Sequence, residues 1–325
     1  MWWGALVALG IALVPWLVVR MGEWYRGVQE AIIFGRPMNG TLRHVTYRSR
    51  LLGRPQRFIV YLPPGYGKPA DRGRRYPVVY FLHGCPGQPR DWLVKGDLHD
   101  TIEVLLAAHR VPAMILVMPD GSGPGGRFDC TLYMNRSDGT YPAETAFVDE
   151  LVPLIDRRYR TIPRRERRAL LGVSSGGFAA LNLGVRHPEL FGVLASFSGY
   201  FRAREDPRAI RSILDGDARA WKANSPADRL ASLPPGLRPH VYLGDGVSDP
   251  MLASNEAFAR QLEQLGIDHQ MRVTPGRHSW SYWRRHLSAA LTWVGAHLNE
   301  GVQAFRRSGV PTPTPTLTLT RESME

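Results

Sequence analysis

Two adjacent serines, Ser174 and Ser175, sit among glycines in the stretch LLGVSSGGFAA, residues 170–180. An apolar run leads in and small, helix-compatible residues lead out, so the serines mark a strand-to-helix turn. A nucleophile projecting from so sharp a turn needs small residues two positions before and two after it, because the bend crowds both. Centred on Ser174, those positions are Gly172 and Gly176; centred on Ser175, they are Val173 and Gly177. Valine fits poorly. Ser174 is therefore the nucleophile candidate, and Ser175 offers its backbone N–H to an oxyanion. The bland alternative is a glycine-rich turn with two idle hydroxyls.

A serine hydroxyl is a weak nucleophile and needs a histidine to take its proton and a carboxylate to orient that histidine. In a strand–turn–helix arrangement the chain order is serine, then Asp or Glu, then histidine. Downstream, HVYLGDGVSDPML offers Asp245 and Asp249. Asp245 sits at a strand end, where it caps or braces the turn. Asp249 lies further along the loop, stiffened by Pro250, and is the preferred acid. In RVTPGRHSWSYW, Pro275 and Gly276 break the strand and His278 follows on the loop, which makes it the base. His269 precedes that strand and His286 lies within the final helix, so neither suits the role. His187 and His240 fall near element starts and read as structural.

A tetrahedral intermediate needs two preorganised N–H donors. The second is expected from HGCPG, where Gly84 and Gly87 allow tight turns. Pro86 has no N–H, which leaves Cys85. Cys85 as a nucleophile is the rival reading, but no elbow surrounds it. Such chemistry requires no cofactor and no metal; His83, His99 and His109 are too far apart to suggest one.

The elements that must position these residues form a recurring pattern. LRHVTYRSRLLGRPQRFIVYLPPGY alternates on both sides of Leu51-Leu52-Gly53 and predicts a hairpin. Short apolar runs follow at 78–82, 114–118, 170–171, 193–195, 241–243 and 271–273. The first three are apolar almost throughout, as strands buried on both faces should be. Helical patterns lie between them at about 98–109, 143–158, 178–186, 252–265 and 281–298. Alternating strands and helices predict an α/β fold with a mostly parallel sheet of about eight strands. The long stretch between the fourth and fifth runs, residues 201–237, predicts a short helical insert or lid.

The chain has 325 residues and a net charge of +12, carried by arginine with only Lys68, Lys95 and Lys222 as lysines. Clusters such as Arg164-Arg165-Glu166-Arg167-Arg168 lack stacking aromatics, so nucleic acid is not an expected partner. Two cysteines, Cys85 and Cys130, make no disulfide scaffold and leave their pairing open. Residues 2–19, WWGALVALGIALVPWLVV, carry no charge and as a helix would reach roughly 27 Å, near a bilayer core. No basic residue precedes them and no small-residue cleavage site follows, so an anchor is favoured over a cleaved signal. Arg20, Arg26 and Arg36 after the segment argue for a cytoplasmic catalytic side. The tail VPTPTPTLTLT reads as an extended stalk suited to an exported protein. The extracytoplasmic side is the expectation. The organisation is an anchor or signal with linker over 1–36, an α/β catalytic domain over 37–300, and a disordered Pro/Thr-rich tail over 301–325. The sequence assigns no oligomeric state.

FLHGCPG, GVSSGG, LGDGVSD and TPGRHSWSYWRRHL together resemble the esterase D, feruloyl esterase and mycolyltransferase-like branch of the α/β-hydrolase fold. The resemblance runs over roughly residues 42–298, with the P-G-x-H-x-W ending and the H-G strand end its most specific parts. ETAFVDELVPLIDRRYRT is similar to the helix that precedes the nucleophile strand in that branch. It implies Ser174 as nucleophile, Asp249 as acid and His278 as base, with Cys85 and Ser175 as oxyanion donors. The expected activity is hydrolysis of a carboxylic ester, on a small-molecule or a lipid or carbohydrate ester. Two other functions stay open: acyl transfer to a sugar or lipid alcohol through the same acyl-enzyme, and a non-catalytic, membrane-tethered binding protein. Peptidase activity is disfavoured, since no peptidase-specific domain precedes this region.

Overall fold

The computed structural model describes residues 38–299. The expected segments 1–36 and 301–325, with the anchor and the Pro/Thr tail, lie outside the described residues. Among the described residues no helix is long and apolar enough to cross a membrane.

Eight strands form one sheet. β1 (Thr41–Arg48) and β2 (Pro55–Leu62) make the expected antiparallel hairpin, in register from Thr41 opposite Leu62 to Arg48 opposite Pro55. β3 (Val78–Leu82), β4 (Ile115–Pro119), β7 (Arg168–Val173), β8 (Val193–Phe197), β9 (His240–Gly246) and β10 (His269–Thr274) run parallel to one another. The spatial order is β1-β2-β4-β3-β7-β8-β9-β10. From β3 the chain first moves to β4 on one side, then returns past β3 to β7 on the other. In open α/β sheets the crevice at the carboxyl ends of two such strands is where ligands collect. Leu82 and Val173 end at that crevice.

The apolar strands follow from burial on both faces. All residues of β3, β4 and β7 are buried. Tyr80 meets Phe147 on one face, with ring centroids 5.5 Å apart, while Phe81 meets Trp92 on the other at 5.0 Å. Helices α1 (Leu98–Ala107), α3 (Ser175–Arg186), α6 (Leu252–Gln264) and α7 (Trp280–His297) match expectation to within a few residues. The helix expected over 143–158 is instead broken. It comprises a turn at Ala143–Thr145, a π-helical stretch at Ala146–Leu151 and α2 (Val152–Arg158). Pro153 is the physical reason, because it has no N–H to donate and its ring crowds the carbonyl one turn back. The wider turn relieves this, and the Val152 amide reaches back to the Phe147 carbonyl.

The expected insert is helical, with α4 (Pro207–Leu214), α5 (Ala218–Ala223) and a single turn at Pro226–Arg229. It has its own small apolar cluster, in which Ile213 and Leu214 join Leu132, Met134, Phe178 and Tyr200. One element was not expected: a two-stranded ribbon of β5 (Ser122–Gly123) and β6 (Gly126–Cys130) after β4.

Candidate active site

The turn between β7 and α3 holds Ser174 at φ 56° and ψ −126°. That region is costly for a residue with a Cβ, and such strain persists only where the surroundings over-determine it. Here they do. The Ser174 amide donates to the Phe197 carbonyl at 2.8 Å, and the Phe178 amide donates back to the Ser174 carbonyl at 3.1 Å. A methyl on Gly172 would lie 2.0 Å from the Gly176 carbonyl oxygen, and one on Gly176 would lie 2.2 Å from that of Leu82. Only hydrogen fits at either position, which is the physical content of the spacing seen in the sequence.

The loops after β9 and β10 bring the other expected residues to this turn. His278 Nε2 lies 2.8 Å from Ser174 Oγ, and His278 Nδ1 lies 3.0 and 3.1 Å from the two Asp249 oxygens. The Asp249 side chain is fully buried and also accepts the Met251 amide at 2.9 Å. Burial alone would raise the Asp249 carboxyl; the hydrogen bonds from His278 and the Met251 amide outweigh it and hold the carboxyl below its ordinary value. The imidazole is packed edge-on against Trp283, centroids 5.1 Å apart, and the Trp283 Nε1–H donates to Ser198 Oγ at 2.9 Å.

Asp245, near the end of β9, makes no hydrogen bond to His278. It is buried, and one oxygen accepts the Gly246 amide at 2.9 Å. Burial, followed by the neighbouring Asp249 charge, pushes its carboxyl up to about 8. A neutral Asp245 beside an ionised Asp249 is what two close carboxyls should give. Its backbone carbonyl accepts the Tyr282 hydroxyl, which braces the turn.

The loop expected to supply an N–H lies against Ser174. A methyl on Gly84 would come 3.3 Å from Ser174 Cβ. His83, Gly84, Cys85 and Ser175 line one cleft together with Arg127 and Asp129 of the β5–β6 ribbon. Two features here were missed or left open by the sequence reading. Cys85 and Cys130 are joined in a disulfide with Cα atoms 5.8 Å apart, which ties this loop to β6. His83 is buried and neutral, its pKa lowered by desolvation. Its Nε2 accepts the Gly121 amide at 3.0 Å, so its Nδ1 carries the proton toward the Gly84 carbonyl 2.9 Å away. The H-G pair at a strand end was the available signal for that brace. A separate groove, lined by Glu103, His109, Arg110 and Gly295, holds no nucleophile–base pair. Chemistry picks out the cleft at Ser174.

A mostly parallel sheet with this strand order, and a strained serine between β7 and α3, define an α/β-hydrolase. The Esterase family model matches residues 49–294, and the chain belongs to that family. An endo-1,4-beta-xylanase/feruloyl esterase of Xylanibacter ruminicola is 33% identical over 208 residues, covering 60% of this chain and 28% of that protein. An S-formylglutathione hydrolase of Paracoccus denitrificans is 24% identical over 293 residues, covering 84% of this chain and 98% of the other. Among solved structures, a ferulic acid esterase superposes with TM-score 0.69 at 26% identity, over 79% of this chain and 99% of that one. The chain spans about half the length, or less, of the first curated relatives it matches. The family agrees with the enzyme class expected from the sequence, a carboxylic ester hydrolase, and with the resemblance from which it was drawn.

Proposed function

We propose that the protein hydrolyses carboxylic esters of small molecules through an acyl-enzyme. The observation that carries this reading is the continuous line of contacts from Ser174 Oγ through the His278 ring to Asp249. In this mechanism Ser174 Oγ attacks the ester carbonyl as its proton passes to His278 Nε2, and Asp249 holds the resulting imidazolium in place. The oxyanion accepts hydrogen bonds from the Cys85 and Ser175 amides. His278 then protonates the departing alcohol, leaving the acyl group on Ser174. Water, deprotonated by His278, releases the acid and restores the serine.

Activity on p-nitrophenyl esters of increasing acyl length tests the reading, with and without a carbohydrate acceptor. Release of p-nitrophenol with equal release of free acid supports hydrolysis. Transfer of the acyl group to the acceptor in preference to water would make the protein an acyltransferase. A protein that cleaves none of the esters, and takes no fluorophosphonate label, would fit the binding-protein reading.

The same proposal places the domain outside the cytoplasm, held by residues 2–19. The disulfide supports that side, because such bonds persist in oxidising compartments. An anchor inserted by apolar burial resists washing in high salt and carbonate, whereas arginine-mediated adhesion is screened by salt. Full-length protein that washes free, or an N-terminus found beyond residue 19, would remove the anchor.

A further inference from the structure

At the opposite end of the sheet from Ser174, three side chains converge that the esterase chemistry does not use. β9 begins at His240, Asp268 sits in the turn before β10, and His297 is the last residue of α7. β9 spans seven residues, so His240 lies about 20 Å from the strand end that leads to Asp249. His240 Nδ1 is 2.5 Å from Asp268 Oδ2, and His297 Nε2 is 3.3 Å from the same oxygen. All three atoms lie within 4.8 Å of one another.

The three groups are carried on firm supports. The Val241 amide donates to the Asp268 carbonyl at 3.0 Å, and the His240 amide donates to the Gly192 carbonyl at 2.9 Å. His297 Nδ1 lies 2.9 Å from the Trp293 carbonyl, and its ring packs against the Trp293 indole with centroids 3.9 Å apart. That hydrogen bond assigns the proton to Nδ1 and turns the Nε2 lone pair toward Asp268. A ring nitrogen held by a backbone carbonyl while the other faces inward is the usual arrangement of a metal-binding histidine. A cation at the centre would meet the Asp268 oxygen and both ring nitrogens at once.

From this geometry we infer that His240, Asp268 and His297 bind one divalent transition ion of the zinc type. Two imidazoles and a carboxylate suit Zn²⁺, Co²⁺ or Ni²⁺, whereas Mg²⁺ and Ca²⁺ favour all-oxygen shells. Tetrahedral ligands at roughly 2.0–2.1 Å stand about 3.3 Å from one another. The His297–Asp268 separation already has that value. The shorter His240–Asp268 contact must open by less than an ångström, as the His240 hydrogen moves to Nε2. Asp268 is 42% exposed, which leaves room for that movement and for water as the fourth ligand.

The test uses full-length protein stripped with a chelator and then titrated with Zn²⁺ by calorimetry and thermal unfolding. The expected result is uptake of one equivalent with a rise in Tm that saturates there, and no such effect of Mg²⁺. Asp268→Ala and His297→Gln should each weaken uptake by at least about tenfold, the range seen even for partners of metal ligands. Both should keep their activity on p-nitrophenyl esters, which separates this site from the one at Ser174. Co²⁺ bound to the unaltered protein should show the strong visible absorption of a low-coordinate nitrogen–oxygen site. No saturable uptake, uptake unchanged in both variants, or a weak octahedral Co²⁺ spectrum would each overturn the inference.

Discussion

The turn that carries Ser174 and the loop that carries Asp249 both present a side chain at a strand's carboxyl end, yet they are held by different kinds of contact. The serine turn is crowded by backbone at short range. A methyl on Gly172 would strike the Gly176 carbonyl four residues on, and β3 closes the other side, where a methyl on Gly176 would strike the Leu82 and His83 carbonyls. The acid loop is held from a distance. The Ser248 amide donates to the Gly276 carbonyl at 2.9 Å, and the Tyr282 hydroxyl reaches the Asp245 carbonyl. A methyl on Gly246 would lie 2.5 Å from Gly276 carbonyl carbon. The loop before α7 thus carries His278 and also supports the loop of Asp249. A site built from local backbone geometry leaves a spaced motif in the sequence; one built across some thirty residues leaves only candidates.

The largest test of this contrast is at the turn. Ser174→Ala is expected to abolish fluorophosphonate labelling and to lower kcat by several powers of ten, on the order of 10⁶ by analogy with a serine protease. Ser175→Ala should keep most of the activity, because only its amide is used. A dead Ser175→Ala with an active Ser174→Ala would shift the centre of the turn by one residue.

The acid loop should give the next largest effect. Asp249→Asn is expected to cost on the order of 10⁴ in kcat, since the imidazole is then held in the wrong tautomer. Asp245→Asn should cost far less. Esterase kinetics giving the opposite ranking would move the acid to Asp245.

Gly176→Ala sets a methyl against the Leu82 and His83 carbonyls. It should destabilise the fold by roughly 3 kcal/mol, the upper part of the range for overpacking, as read from the urea midpoint. Unchanged stability in that variant would mean the turn is looser than its contacts imply.

The smallest expected effect is a pH dependence at Asp245. Its carboxyl is raised from 3.8 to about 8 in the folded protein, so the native state holds this proton more tightly than the unfolded chain. The stability it contributes is complete below the unfolded value and is lost as pH rises through the folded one. Asparagine cannot ionise, so the Tm of Asp245→Asn relative to the unaltered protein should climb between about pH 4 and pH 8. A difference that stays flat across that window would show that Asp245 ionises freely.

Much of the fold was legible because its strands are simple. Val78–Leu82 and Ile115–Pro119 are apolar on both faces, and the elements between them carry helical spacing. Ser174, His278 and Asp249, which the structure brings together, stand at or just beyond the ends of strands. What escaped reading depends on contacts distant in sequence. Cys85 and Cys130 are 45 residues apart, and nothing near either one announces the other. His83 acts through the Gly121 amide, which only the adjacency of β3 and β4 brings near. His240 reads as structural from its place at an element start; its partners, Asp268 and His297, are distant in sequence and meet it only in the fold. The broken helix before β7 turned on one residue, Pro153, within an otherwise helical pattern.

The Cys85–Cys130 bond also acts on a state in which no cleft exists. Closing a span of 45 residues removes conformations from the unfolded chain, worth about 4 kcal/mol on the chain-entropy account. The closed span contains β4 and the helix before it, so the denatured chain keeps these segments within a ring. A thiol reductant would release that ring, and the urea midpoint should fall even where the native contacts around Ser174 are unchanged.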